Sequence, residues 1–181
     1  GRLNQFTMPG GTFTGWRGSD GKDYSNGQVV SKLTQKDGDT ITLYAQWNSP
    51  AYKVKLADYD TDMAEVTVNR QTAKYSEAIY VTVKMIKEGY HIEKAEFTCN
   101  GTTKNMENLY GTYAFAMPAG DTTILLTFAP NKYTVTFDPG VPEDVTGVMA
   151  DMTELEYDTT CTLPANQFQR TNCKFNGWLV N

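Results

Sequence analysis

Asn4-Gln5-Phe6-Thr7-Met8-Pro9-Gly10-Gly11-Thr12-Phe13-Thr14-Gly15-Trp16 stands near the start of the chain, and Asn166-Gln167-Phe168-Gln169-Arg170-Thr171-Asn172-Cys173-Lys174-Phe175-Asn176-Gly177-Trp178 stands near its end. The Asn-Gln-Phe opening and the Phe-x-Gly-Trp close match without a gap, so the phrase is an internal repeat. Each copy reads as the end of a strand with aromatic anchors, Phe6, Phe13 and Trp16 in the first. Trp16, Trp47 and Trp178 are expected to be largely buried.

Around this phrase the composition is that of a sheet protein. The 181 residues leave room for one large domain or two or three small ones. A hydrophobic share of 40% and an aromatic share of 12% are enough for true cores. Tyrosine is the commonest aromatic, and Thr and Val recur in short runs, a vocabulary that favours strands. The expectation is more than about 40% strand and less than about 12% helix, far from the average mix. Net charge is −5 with acids and bases interspersed, which removes a nucleic-acid footprint. No apolar run approaches the roughly 20 residues of a membrane-spanning helix, so no membrane insertion is expected. No signal peptide is visible, and because Gly1 falls inside a repeat unit, the chain reads as a piece of something longer.

Strand patterns divide the chain into three. In the first unit (1–48), Thr40–Trp47 places Ile41, Leu43, Ala45 and Trp47 on one face. Val29, Val30 and Leu33 have the spacing of one or two helical turns. In the second unit (51–130), Tyr52–Ala57, Glu65–Asn69, Ile79–Met85, His91–Thr98, Thr112–Met117 and Thr122–Phe128 alternate as strands. Asn100-Gly101 is a two-residue hairpin signal. The third unit (131–181) begins with the alternating Lys132–Phe137, turns at Asp138-Pro139-Gly140, and has a further strand edge over Glu154–Leu163.

The residues carry a family resemblance. Tyr133-Thr-Val-Thr-Phe-Asp-Pro, Leu163-Pro-Ala-Asn166 and Phe175-x-Gly-Trp178 resemble the first half of the Listeria–Bacteroides repeat, the internalin-type B-repeat of bacterial surface proteins. Phe13-Thr-Gly-Trp16, Tyr24-Ser-Asn-Gly-Gln28 and Thr42-Leu-Tyr-Ala-Gln-Trp47 resemble its second half. Residues 51–130, with Glu88-Gly-Tyr90 and Tyr113-Ala-Phe-Ala-Met-Pro-Ala-Gly-Asp121, are similar to a divergent form. Asn172-Cys173 and Met8-Pro9-Gly10-Gly11 depart from the family pattern, both at a turn. The resemblance implies a mainly β fold: tandem small β-grasp-like repeat domains with little helix, on an extracellular stalk or adhesin.

No chemistry assembles from the residues. Asp58-x-Asp60-x-Asp62 with Glu65 invites a calcium reading, but Met63 and Asn69 stand where an EF-hand loop needs Gly and Glu, so a solvated turn is preferred. Ser19, Asp20, Asp23 and Asn26 form another oxygen-rich loop of ordinary turn composition. His91 is the sole histidine, with no nucleophile or acid placed around it by any motif. Cys99, Cys161 and Cys173 fit no zinc spacing; three small buried hydrophobes are preferred over a Cys161–Cys173 bridge. Asn100-Gly101-Thr102 matches a glycosylation acceptor but reads as a turn. Tyr44, Tyr80, Tyr110 and Tyr157 fall off the inward faces, where cross-strand pairing is preferred to a dedicated sugar platform. No catalytic, cofactor-binding or metal-binding residue is assigned, and no cofactor is implied.

The expected function is a non-enzymatic repeat segment of a secreted or cell-wall-attached bacterial surface protein, a spacer and adhesion module meeting a protein or glycan at the cell surface. The alternative is an accessory carbohydrate-binding segment of a secreted enzyme. Because 1–48 holds the second half of a repeat and 131–181 the first half, complementation is expected, with Lys132–Phe137 beside Thr40–Trp47. It would arise within one chain or by self-association of neighbours.

Overall fold

The computed structural model describes residues 2–140 and 143–180 and, at Pro142, the backbone. It is nearly all β, with 46% strand and 1% helix in several small sheets, as the Val, Thr and Tyr runs predict. The strands in order are β1 (Thr12–Gly18), β2 (Asp23–Tyr24), β3 (Leu43–Asn48), β4 (Ala51–Leu56), β5 (Ala64–Val68), β6 (Thr72–Lys74), β7 (Ala78–Met85) and β8 (Tyr90–Cys99). There follow β9 (Thr102–Asn105), β10 (Glu107–Leu109), β11 (Thr112–Ala116), β12 (Thr122–Pro130), β13 (Lys132–Val135), β14 (Val145–Thr146), β15 (Met152–Glu156) and β16 (Gln169–Arg170). The chain divides into two compact units. One takes the residues up to Ile86 with Lys94–Thr127; the other takes Lys87–Glu93 with everything from Phe128 on.

The main core of the first unit lies in its middle segment. A four-stranded sheet has the order β10-β11-β7-β5 and a five-stranded one the order β6-β4-β12-β8-β9. Strand β7 alternates cleanly, with Ile79 and Val81 fully buried and Tyr80 outward. Phe97 of β8 stacks on Phe115 of β11 with centroids 4.2 Å apart and planes 11° from parallel, which joins the two sheets. Ile124 and Met117 complete that core. Asn100 and Gly101 have φ of 49° and 76° between the paired Cys99 and Thr102. This is the left-handed pair that a two-residue hairpin requires.

The first unit also holds a three-stranded sheet of order β2-β1-β3. Strand β3 runs antiparallel to β1, with Phe13 opposite Trp47 and Trp16 opposite Ala45. No helical turn forms over Val29–Leu33, and Val29 is 90% exposed. Three apolar residues cannot repay the nucleation of a helix without a surface to cover, and none is offered here.

In the second unit β13 pairs with β15 and β14 with β16, all antiparallel. The strand expected over Glu154–Leu163 is displaced to Met152–Glu156, because Asp158 adopts a left-handed φ and the chain turns there. Lys87–Glu93 folds against this unit. The Asn131 N–H donates to the Gly89 carbonyl at 2.7 Å, and the Tyr157 N–H to the Asn131 carbonyl at 2.9 Å. Gly89 has φ +75°, and a Cβ there would overlap the Tyr157 ring. The Tyr90 hydroxyl donates to Asp158 at 2.9 Å, and Lys87 Nζ sits 4.3 Å from the Tyr90 ring centre.

The three tryptophans are of intermediate burial, mostly covered but not fully enclosed. They sit in sheets of two or three strands, or beside them, where neighbours cover one side of a ring. Ile79→Ala should therefore cost about 3–4 kcal/mol, as a fully buried large-to-small change, and Trp47→Ala about 2 kcal/mol. Urea unfolding of both variants checks the order; a larger loss at Trp47 would contradict it.

Candidate functional site

The two copies of the repeated phrase fold alike. In the first, the Phe6 N–H donates to Asn4 Oδ1 at 2.9 Å and Asn4 Nδ2 donates to the Phe6 carbonyl at 3.0 Å. In the second, the Phe168 N–H and Asn166 Oδ1 are 3.0 Å apart, and Asn166 Nδ2 and the Phe168 carbonyl 2.9 Å. A four-residue turn follows in each, closed by Gly11 N–H to Met8 at 3.0 Å and Cys173 N–H to Arg170 at 3.2 Å. Its third residue is left-handed in both, Gly10 at φ 65° and Asn172 at φ 56°. The divergent Met-Pro-Gly-Gly and Thr-Asn-Cys stretches are thus one turn written in two ways, since Gly and Asn are the residues that tolerate this conformation.

The Phe-x-Gly-Trp end makes an aromatic corner. Residues three apart point to opposite faces of a regular strand. Between Phe13 and Gly15 the β1–β3 register shifts by a bulge, with Gly15 at φ +150°, so the phase is reset. Phe13 and Trp16 then meet edge-on at 5.0 Å, as Phe175 and Trp178 do at 4.9 Å. Phe6 reaches Trp16 at 6.1 Å and Phe168 reaches Trp178 at 6.2 Å, both at 75°. Gly177 is at φ +129°, and a Cβ built there would meet nothing within 4 Å.

The neighbours differ. In the first copy Phe13 packs on Trp47 of β3 at 5.5 Å. In the second, Trp178 packs on Phe137, just past β13, at 5.0 Å. Beside Trp16 lies an open groove of about 1090 Å3, whose apolar lining is Leu3, Phe6, Trp16, Tyr24, Val30 and Leu43. Its polar lining is Arg2, Asn4, Gln5, Ser25, Gln28 and the Tyr24 hydroxyl, and three of these are engaged within the chain. Asn4 is closed on Phe6, Gln28 Oε1 accepts from the Ser25 N–H at 2.8 Å, and the Tyr24 hydroxyl donates to Asp20 at 2.6 Å.

The other sequence candidates do not converge. In the oxygen-rich loop, Ser19 Oγ accepts from the Thr42 N–H, Asp23 pairs with Arg17 at 2.8 Å, and Asn26 accepts from the Asn4 N–H. Asp60 accepts from the Asp62 N–H, and no group of three His, Cys, Asp or Glu among the described residues is placed to hold a metal ion. His91 Nδ1 lies 2.8 Å from Asn131 Oδ1 at the surface. Cys99 is buried, whereas Cys161 and Cys173 are exposed and free, so the reading as buried hydrophobes fits Cys99 alone. Tyr44, Tyr80, Tyr110 and Tyr157 are exposed. The groove is not evident in the sequence, because Leu3 and Gln28 lie in segments without periodicity and the helical spacing at Val30 forms no helix.

Two tests follow from this geometry. A Cβ on Gly15 would lie 3.0 Å from the Tyr24 carbonyl oxygen, at a φ that side chains rarely adopt. Gly15→Ala should destabilise the first sheet by about 1–3 kcal/mol, whereas Asn176→Ala, one residue before the second kink, should be nearly neutral; thermal unfolding compares them. Asp20 is held below its ordinary pKa by the Tyr24 hydroxyl and then by the Lys22 N–H. Its contribution is present above the ordinary range near pH ~4 and is lost as pH falls through the lowered folded value. The stability gap between wild type and Asp20→Asn should therefore shrink on acidification below about pH 4; a constant gap down to acid unfolding would contradict it.

Residues 133–181 match the family model described as the Listeria-Bacteroides repeat domain. No match was found among curated proteins or among solved structures. Repeats of this family occur in bacterial surface proteins, and the matched family is a repeat domain rather than an enzymatic one. No helix among the described residues is long and apolar enough to cross a membrane. The segment 133–181, with its Phe137–Trp178 corner, is similar to the Listeria–Bacteroides repeat.

Proposed function

We propose that this chain is a non-enzymatic spacer and interaction segment of a secreted or wall-attached bacterial surface protein, displayed outside the cell as tandem small units (1–48, 51–130 and 131–181). The observation that carries this reading is the aromatic corner, built twice with the same hydrogen bonds and ring distances. Repetition of a small module serves reach and display, because each module adds length with its own core. The side chains tested for chemistry are engaged in turns and surface pairs rather than converging on a cleft.

The groove beside Trp16 supports contact with protein more than with sugar. A sugar site needs convergent free polar groups beside an aromatic platform. Here Asn4, Gln28 and Tyr24 are engaged, and Leu3, Val30 and Leu43 are apolar.

Display on a bacterial wall tests the spacer role. The chain is placed between a wall anchor and a distal epitope, and antibody access is compared with that of a version lacking residues 51–130. Deletion should lower access at equal surface amount. Unchanged access would remove the spacer reading.

A further inference from the structure

The boundary between two small domains is ordinarily an exposed linker that few contacts cross. Here a single residue, Asn131, stands between β12 and β13, and it is pinned on both sides. Its N–H donates to the Gly89 carbonyl at 2.7 Å, and its carbonyl accepts from the Tyr157 N–H at 2.9 Å. Its side-chain Oδ1 lies 2.8 Å from His91 Nδ1. Side chains close the same place. The Tyr157 ring occupies the space that a Cβ on Gly89 would need, at a φ of +75°, so only glycine lets the two come together. Tyr157 meets Tyr90 edge-on at 6.3 Å, and the Tyr90 hydroxyl donates to Asp158 at 2.9 Å. Lys87 Nζ reaches Asp158 at 3.8 Å while lying over the Tyr90 ring.

Strand β8 leads from this cluster into the main core. Its residues up to Glu93 belong to the second unit and those from Lys94 to the first. Ala95, Phe97 and Cys99 are buried further along the same strand. Strand β12, which ends one residue before Asn131, lies beside β8 in the five-stranded sheet and carries the enclosed Ile124. The Asn131–Gly89 bond thus ties the chain to β8 just past the end of β12. We infer that Lys87–Glu93, Asn131 and the Tyr157–Asp158 turn form a clasp that resists tension, through which β13 and β15 open only together with the main core. Hydrogen-bonded strands open in contiguous cooperative units, and β8 spans the clasp and the core as one strand. In a displayed spacer, tension along the chain passes from β12 to β13 through Asn131. The clasp hands it to β8, where a free linker would leave it on a single residue.

The inference deepens the spacer reading and rests on it for its use. It is tested on opening alone, so its failure leaves that reading to the display experiment. The measurement is native-state amide hydrogen exchange, followed by NMR on the full 181-residue chain at rising urea. The Asn131 and Tyr157 amides, with those of β13 and β15, are expected to converge on the exchange of β7 and β12. Tyr157→Ala, at a position 42% exposed, should separate them. Exchange at Asn131 and in β13 should then rise at least about tenfold more than in β7. Tyr90→Phe, which removes only the hydroxyl bond to Asp158, should separate them in the same direction by less. Wild-type Asn131 and Tyr157 amides that open well before β7 at every urea concentration would overturn the inference. So would a Tyr157→Ala chain in which all these amides speed up equally, since that is general destabilisation without a clasp.

Discussion

A strand alternates its side chains, and two aromatic rings three residues apart cannot share a face unless that alternation is broken. The terminal structure of this protein rests on that break. In each Phe-x-Gly-Trp the glycine takes a positive φ, and both rings turn to one side. Once together, Phe13 with Trp16 and Phe175 with Trp178 offer an edge-to-face surface on which another aromatic can settle. Trp47 packs on the Phe13 ring at one end of the chain, and Phe137 on the Trp178 ring at the other. The glycine is thus the residue on which each corner depends, and the asparagine and the left-handed turn upstream set the approach of Phe6 and Phe168.

The middle segment is organised differently. It has a buried core of Ile79, Val81, Met117 and Ile124, held between two sheets by the Phe97–Phe115 stack. Rigidity there comes from burial, and at the ends from ring geometry in thin sheets. That contrast explains why the three tryptophans stay partly exposed while Ile79 and Ile124 are wholly enclosed.

Much of this was legible in the sequence, for a physical reason in each case. Alternation announced β4, β7, β11 and β12, and Asn100-Gly101 announced its hairpin, because period-two burial and left-handed turns leave strong residue signals. The match of residues 133–181 agrees with the motifs read there. The reading failed where local pattern met no tertiary partner. Val29, Val30 and Leu33 have helical spacing but no surface to cover. The strand placed over Glu154–Leu163 moved because Asp158 turns the chain. The groove was illegible because its lining comes from irregular segments that only the fold gathers around Trp16.

The central claim is that one phrase builds the same corner at both ends of the chain. Aromatic proton contacts measured by NMR in solution test it most directly. The account predicts matched ring-to-ring contacts, Phe6–Trp16–Phe13 and Phe168–Trp178–Phe175, with the Gly15 and Gly177 signals displaced by the adjacent indole. Contacts in the first corner with none in the second would contradict it.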